Sequence, residues 1–124
     1  MERYDVIVIG SGPGGYVAAL RAGQLGLRTA LVERDPWLGG TCLNRGCVPT
    51  KHLLHVADLY HRLSRGEGGI RAGGLQIDLA ATQTEKAALV DKLRKGIAYL
   101  EKKNGVTVFH GAGRLVSAGW VAIQ

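Results

Sequence analysis

The apolar positions open as a block and then settle into longer periods. Tyr4 to Ile9 contains the uninterrupted run Val6-Ile7-Val8-Ile9, short, β-branched and closed by Gly10, which reads as a buried strand. After Gly10-Ser11-Gly12-Pro13-Gly14-Gly15, residues Tyr16 to Leu25 read as a helix. Its inward face is built of small residues, Ala18, Ala19, Ala22 and Gly23, and Gly26 supplies a stop. Thr29 to Glu33 repeats the strand pattern. Strand, glycine turn, helix and strand in this order make a βαβ unit, with parallel strands and a right-handed crossover.

Residues 34–40 read as a loop, and Thr41 to Arg65 as helix interrupted around Gly46 and Pro49. Residues 66–78 form a glycine-rich connection. Leu79 to Lys103 is a long helix in which Val90, Leu93, Ile97 and Leu100 follow a 3-4-3 spacing, and Asn104-Gly105 ends it. The stripe covers too few heptads for a coiled coil and suits burial on a sheet. Val106 to Phe109 is a third strand. Arg114–Val116 and Trp120–Ile123 pair as a hairpin about Ser117-Ala118-Gly119, after a turn at His110-Gly111-Ala112-Gly113.

Composition narrows the class. The chain is 46% hydrophobic and 21% charged over 124 residues, as a globular domain should be. No apolar run approaches the ~20 residues of a membrane span, and no secretory signal precedes Tyr4, so the expectation is a cytoplasmic protein without a membrane partner. Sixteen basic against ten acidic residues give +6. Such an excess suits nucleic acid, an anionic cofactor or an acidic partner region. Arg94, Lys95, Lys102 and Lys103 read as a solvated face that suits a helix C-terminus. No aromatic interleaving accompanies them, so no nucleic-acid partner is expected.

Gly10, Gly12 and Gly15 satisfy G-x-G-x-x-G, with Pro13 and Gly14 inside the turn. The first glycine allows the tight turn, the second lets backbone approach a pyrophosphate, and the third permits close helix–strand packing. The helix that follows aims its N-terminus at the phosphates. Glu33 ends the second strand, where a carboxylate can accept from ribose hydroxyls. An acid there disfavours a 2′-phosphate. The competing reading is a purely structural turn.

The only two cysteines are Cys42 and Cys47. On a regular helix, positions i and i+5 lie about 140° apart with Cα atoms roughly 8.7 Å apart. A disulfide needs them within about 7 Å. Gly46 and Pro49 supply the distortion that would permit closure. Lys51, on the face of Cys47, and a helix N-terminus both favour thiolate. Inert cysteines are one alternative. A metal site from Cys42, Cys47, His52 and His55 is another, although its spacing is poor for zinc.

The segments Asp5–Val32 with its GSGPGGY turn, Glu33–Cys42 (ERDPWLGGTC), Cys47–Lys51 and Leu53-Leu54-His55 resemble the flavin-dependent pyridine-nucleotide–disulfide oxidoreductases. The resemblance continues through the long helix to His110-Gly111-Ala112-Gly113-Arg114-Leu115 and is strongest toward members that oxidise dihydrolipoyl groups. It implies an α/β, Rossmann-like FAD-binding domain over 1–124, three-layered, with a central parallel sheet and an edge β hairpin, and incomplete. It implies FAD held by Gly10, Gly12, Pro13, Gly14, Gly15, Glu33, Arg34, Gly40, Thr41, Cys42, Lys51 and Gly113, with NAD used by the full-length enzyme. Cys42 would be the interchange thiol that meets the substrate, and Cys47 the flavin-proximal one, so that Cys42 should alkylate first. The implied partners are the lipoyl groups of 2-oxoacid dehydrogenase complexes and a second subunit. Arg45, Val48 and Thr50 depart from the commoner Val, Ile and Ser, and Arg45 is expected to tune substrate choice. A mercuric- or glutathione-reductase-like member and a non-catalytic flavoprotein module are the alternatives. The family's second glycine turn, its returning strand and its interface domain are not in these residues, so the expectation is a fragment or a stub.

Overall fold

A computed structural model describes all 124 residues. Three parallel strands, β1 (Val6–Ile9), β2 (Thr29–Glu33) and β3 (Thr107–His110), form one sheet in the order β1-β2-β3. The register pairs Val8 with Leu31 and Leu31 with Val108. These three residues share the face that meets the core, where Ala19, Leu38, Leu43, Val90, Ile97 and Val106 pack with Leu31. All five residues of β2 are buried. A central strand covered on both faces needs such a continuous apolar run.

Helix α1 (Pro13–Gln24) begins three residues before the expected Tyr16. Proline suits the first helical position, since its missing N–H would have no partner there anyway. Ala19 and Ala22 are buried on the sheet, whereas Ala18 faces solvent. A Cβ at Gly23 would lie 2.5 Å from the carbonyl oxygen of Asn104, so glycine lets α1 touch the turn before β3. Helices α2 (Gly40–Asn44) and α3 (Cys47–Ser64) are separated at Arg45-Gly46, where Gly46 adopts a ψ of −110°. A single 3₁₀ turn at Glu67–Gly69 follows.

Helix α4 (Leu79–Lys103) starts at Asp78, whose carboxylate accepts from Ala81 N–H at 2.9 Å. Its inward face differs from the expected stripe. Val90 and Ile97 are buried, but Leu93 and Leu100 are 38% and 42% exposed, and Thr82 and Glu101 take inward positions. Beyond β3, β4 (Gly113–Ser117) and β5 (Trp120–Ile123) form a separate antiparallel pair. It is anchored by reciprocal bonds between Ala112 and Gln124. Val121 and Ile123 approach Ile7, Val32 and Phe109 across the sheet face opposite the helices. The layers are therefore helices, parallel sheet and hairpin.

Glu101 is fully buried, and neither carboxylate oxygen has a hydrogen-bond partner. Burial raises its pKa to about 7 from the usual 4.5. The folded state thus holds a proton that the unfolded chain releases. Stability from this group is fully present below pH ~4.5 and is lost as pH rises through about 7. Glu101→Leu is expected to stabilise the chain by about 1–3 kcal/mol at pH 8 and by less at pH 5. Urea unfolding of both proteins at the two pH values checks this, and an equal difference at both would contradict the assignment.

Candidate functional site

Gly10 ends β1 with φ +93° and donates its N–H to the Val32 carbonyl at 2.7 Å. A side chain is strained in that conformation. A Cβ at Gly15 would sit 1.8 Å from Gly10 O, so α1 can rise this close to the strand only with glycine there. Gly12 differs. A Cβ there, as at Gly14, would meet no protein atom within 4 Å. The helix N-terminus carries no side-chain cap. The turn therefore keeps both open backbone and a positive dipole end, the two requirements of a pyrophosphate cradle.

Gly40, with φ +59°, packs its Cα side against that turn, where a Cβ would come 2.6 Å from Gly12 Cα. The loop from β2 thus returns onto the cradle and continues into α2. Gly10, Gly12, Glu33, Arg34, Gly40, Thr41 and Gly113 line one cleft of about 460 Å³. Gly113 approaches Val32 and Ile9, leaving 3.0–3.1 Å between their side chains and the place a Cβ would take. Pro13, Gly14 and Gly15 lie in the first turn of α1 rather than on the cleft wall, and Cys42, Cys47 and Lys51 lie farther along α2 and α3.

Glu33 is 6% exposed. Its Oε2 accepts from Ser11 N–H at 2.7 Å and from Ser11 Oγ–H at 2.5 Å, and its Oε1 accepts from Asp35 N–H at 2.9 Å. Burial alone would raise its pKa. The bonds from Asp35 N–H, the Ser11 hydroxyl and the backbone of Ser11 and Arg34 outweigh burial, so the carboxyl lies below its usual range. Ser11 also receives Gly39 N–H on its carbonyl at 2.9 Å. Sequence reasoning passed over Ser11. Its signal was a lone hydroxyl between two glycines of the turn.

Arg45 does not stand free beside the cysteines. It pairs with Asp35 at 2.8 Å and lines the same cleft as Gly10 and Glu33. Its charge is directed there, and the expected influence on the disulfide substrate has no geometric support.

Both cysteines are free thiols. The break at Arg45-Gly46 brings their side chains within hydrogen-bonding reach of one another, despite the five-residue spacing. The Cys42 pKa is raised, first by that bond to Cys47 and then by burial, and the opposing pull of Lys51 is too weak to reverse it. Cys47 is exposed and Cys42 half-buried. The protein's own atoms therefore favour attack at Cys47, the reverse of the order expected from the family roles. That expected order depends on a flavin covering Cys47. Cys42, Cys47, His52 and His55 do not converge, and no group of three His, Cys, Asp or Glu side chains is placed to hold a metal ion. No helix is long and apolar enough to cross a membrane.

The family model described as pyridine nucleotide-disulphide oxidoreductase matches residues 4–121. A dihydrolipoyl dehydrogenase of Pseudomonas aeruginosa is 49% identical over 98% of this chain and 27% of its own length. The mitochondrial dihydrolipoyl dehydrogenase of Pisum sativum is 46% identical over 99% of the chain and 25% of its own. A leghemoglobin reductase of Vigna unguiculata reaches 48% over 99% and 24%. Among solved structures, the Cu(II) complex of the HOCl-induced flavoprotein disulfide reductase RclA from Escherichia coli superposes with a TM-score of 0.80 at 25% identity, covering all of this chain and 25% of that one. The chain spans about a quarter of the length of these relatives. A glycine cradle tied to Glu33, two thiols on α2 and at the start of α3, and a matching family model over residues 4–121 place this chain in the pyridine nucleotide-disulphide oxidoreductase family.

Proposed function

We propose that these residues are the FAD- and dithiol-bearing portion of an enzyme that oxidises dihydrolipoyl groups and passes the electrons to NAD⁺. The observation that carries this reading is the packing of Gly40 on Gly12. One five-residue helix touches the dinucleotide cradle at its first residue and presents Cys42 at its third. Cofactor cleft and dithiol are thereby held in one rigid piece.

In this reading Gly12 and Gly14 give the pyrophosphate access to backbone, and Glu33 accepts from the adenosine ribose. Gly113 leaves room beside the adenine, and Lys51 lies toward the flavin ring. A Cys42–Cys47 bridge takes two electrons and two protons from the two S–H groups of a dihydrolipoyl unit, which leaves as the cyclic disulfide. FAD, when bound, supplies the two-electron acceptor that re-forms the bridge, with NAD⁺ as the final acceptor in the longer enzyme. The natural partners are lipoyl groups carried by 2-oxoacid dehydrogenase complexes, and the longer enzyme works as a homodimer. A reducing, cytoplasmic setting suits a pair that cycles between thiols and bridge.

FAD and ADP are expected to bind the chain, and Glu33→Gln, which keeps an acceptor for Ser11 N–H, to weaken adenosine-containing ligands severalfold while leaving the far-ultraviolet circular dichroism unchanged. Quenching of FAD fluorescence measures the first, and calorimetry with ADP the second. No binding at about 1 mM ligand would count against an assembled site.

Brief iodoacetamide treatment of the reduced chain without FAD is expected to label Cys47 before Cys42, with the order inverting once FAD is bound. Peptide mass mapping reads both arms. Labelling of Cys42 first in the free chain would contradict the exposure seen here, and an order indifferent to bound FAD would contradict the flavin-proximal role.

The 124-residue chain alone is expected not to turn over NADH with lipoamide. Such turnover needs an acid–base group in reach of the interchange thiol and a nicotinamide site. The sequence has one glycine turn, and His52 and His55 lie along α3, five and eight residues beyond Cys47. Turnover by the purified monomer would show that these residues hold both functions.

A further inference from the structure

The basic cluster on α4 is not a uniform solvated face. Lys95 pairs with Asp91 at 2.6 Å. Arg94 is half-buried and has no carboxylate partner, and Lys102 has none either. Arg94 Nε donates to Asn44 Oδ1 at 2.5 Å, and its guanidinium carbon lies 4.9 Å from the centroid of the Trp37 ring. Asn44 is itself fixed, since its Nδ2 donates to Leu38 O at 3.2 Å and Gly40 O at 2.8 Å. The guanidinium is thus oriented by a stack on one side and a pinned amide on another. Its two terminal amino groups have no carboxylate to bind.

These groups border a second cleft of about 460 Å³, within the usual size range of small-molecule sites. Leu38, Ala98, Val106 and Val108 form its apolar lining, and Trp37, half exposed, forms a wall. Lys102 lies eight residues beyond Arg94 on the same side of α4, about 12 Å along the axis. The cleft shares no residue with the dinucleotide cleft. The cations do not merely neutralise local acids, because the only carboxylate on the lining, Asp91, is taken by Lys95.

We propose that this cleft, between α4, β3 and the 36–38 loop, binds a small organic anion. A carboxylate or phosphate would sit on the fork of Arg94, and an apolar, flat body would lie against Trp37 and the valines, within reach of Lys102. A planar fork held in place suits paired anionic oxygens. The apolar lining excludes an ion with no body as the preferred ligand. The site stands independently of the dinucleotide reading.

The test uses ¹⁵N-labelled chain and four probes: 2-naphthoate, 2-naphthyl phosphate, 2-naphthamide and inorganic phosphate. Saturable shifts are expected for the Trp37 indole N–H and the Arg94 Nε–H with one or both of the naphthyl anions. The Trp120 indole, on the hairpin, serves as the internal control. Arg94→Gln and the exposed-site variant Lys102→Gln are each expected to weaken binding at least about fivefold, and the neutral amide to bind at least about tenfold more weakly than the acid. Comparison of the two naphthyl anions tells carboxylate from phosphate. The proposal is overturned by absence of saturation below about 5 mM for both anions. Equal binding of the amide, affinities that both substitutions leave unchanged, or inorganic phosphate matching the naphthyl anions would overturn it as well.

Discussion

The carboxylate of Glu33 ties the glycine turn to the end of the central strand. It stands at the end of β2 and takes both the backbone N–H and the hydroxyl of Ser11, in the turn that leaves β1. Ser11 in turn receives the N–H of Gly39, where the chain is about to enter α2. Two strand ends and the entrance to the cysteine-bearing helix are therefore tied through one buried acid. An ionised carboxylate is costly to bury without donors. Here the donors come mostly from backbone fixed by the strand and turn, so the charge is kept and the geometry becomes rigid. The depressed pKa records the same balance: the bonds to the ionised form outweigh the burial that opposes it.

That arrangement leaves little of the carboxylate unaddressed. A carboxylate offers about four lone-pair directions. Asp35 N–H and the two donors of Ser11 take three of them. The two backbone donors are fixed by strand and turn. The Ser11 hydroxyl is a rotor, but its oxygen also accepts Gly39 N–H at 3.2 Å, so the loop that enters α2 steadies it. Ser11 thus links the acid to that loop through its hydroxyl as well as through its carbonyl.

Much of this was legible from residue order. The β-branched blocks at 6–9 and 29–33, the glycine turn and the small residues at 19, 22 and 23 depend on local sterics, and they appear where the pattern places them. The interruption near Gly46 was equally local. What escaped depends on partners distant in sequence. The buried face of α4 turns away from Leu93 and Leu100 and takes in Glu101, because the helix is oriented by α1 and the turn before β3 as well as by its own apolar stripe. Ser11 escaped because its partner is 22 residues away. Arg45 was placed beside the cysteines by sequence distance, yet its side chain swings to Asp35 on the other wall of the loop.

The dithiol shows the same division more sharply. Spacing alone gives a separation too great for a bridge on a regular helix, and Gly46 shows why the helix is not regular. Closure of a bridge could thus be judged sterically possible before any fold was known, beside inert cysteines and a metal site. Which sulfur is open could not, because Cys42 is partly covered while Cys47, at the first residue of α3, is left exposed. Lys51 illustrates why a nearby cation is insufficient grounds for an activated thiol. Its attraction acts on Cys42, but a neutral thiol that bonds to the other sulfur gains more from keeping its proton, and burial adds to that preference. The protonation of Cys42 is therefore set by the other sulfur and by burial, more than by the charge nine residues away.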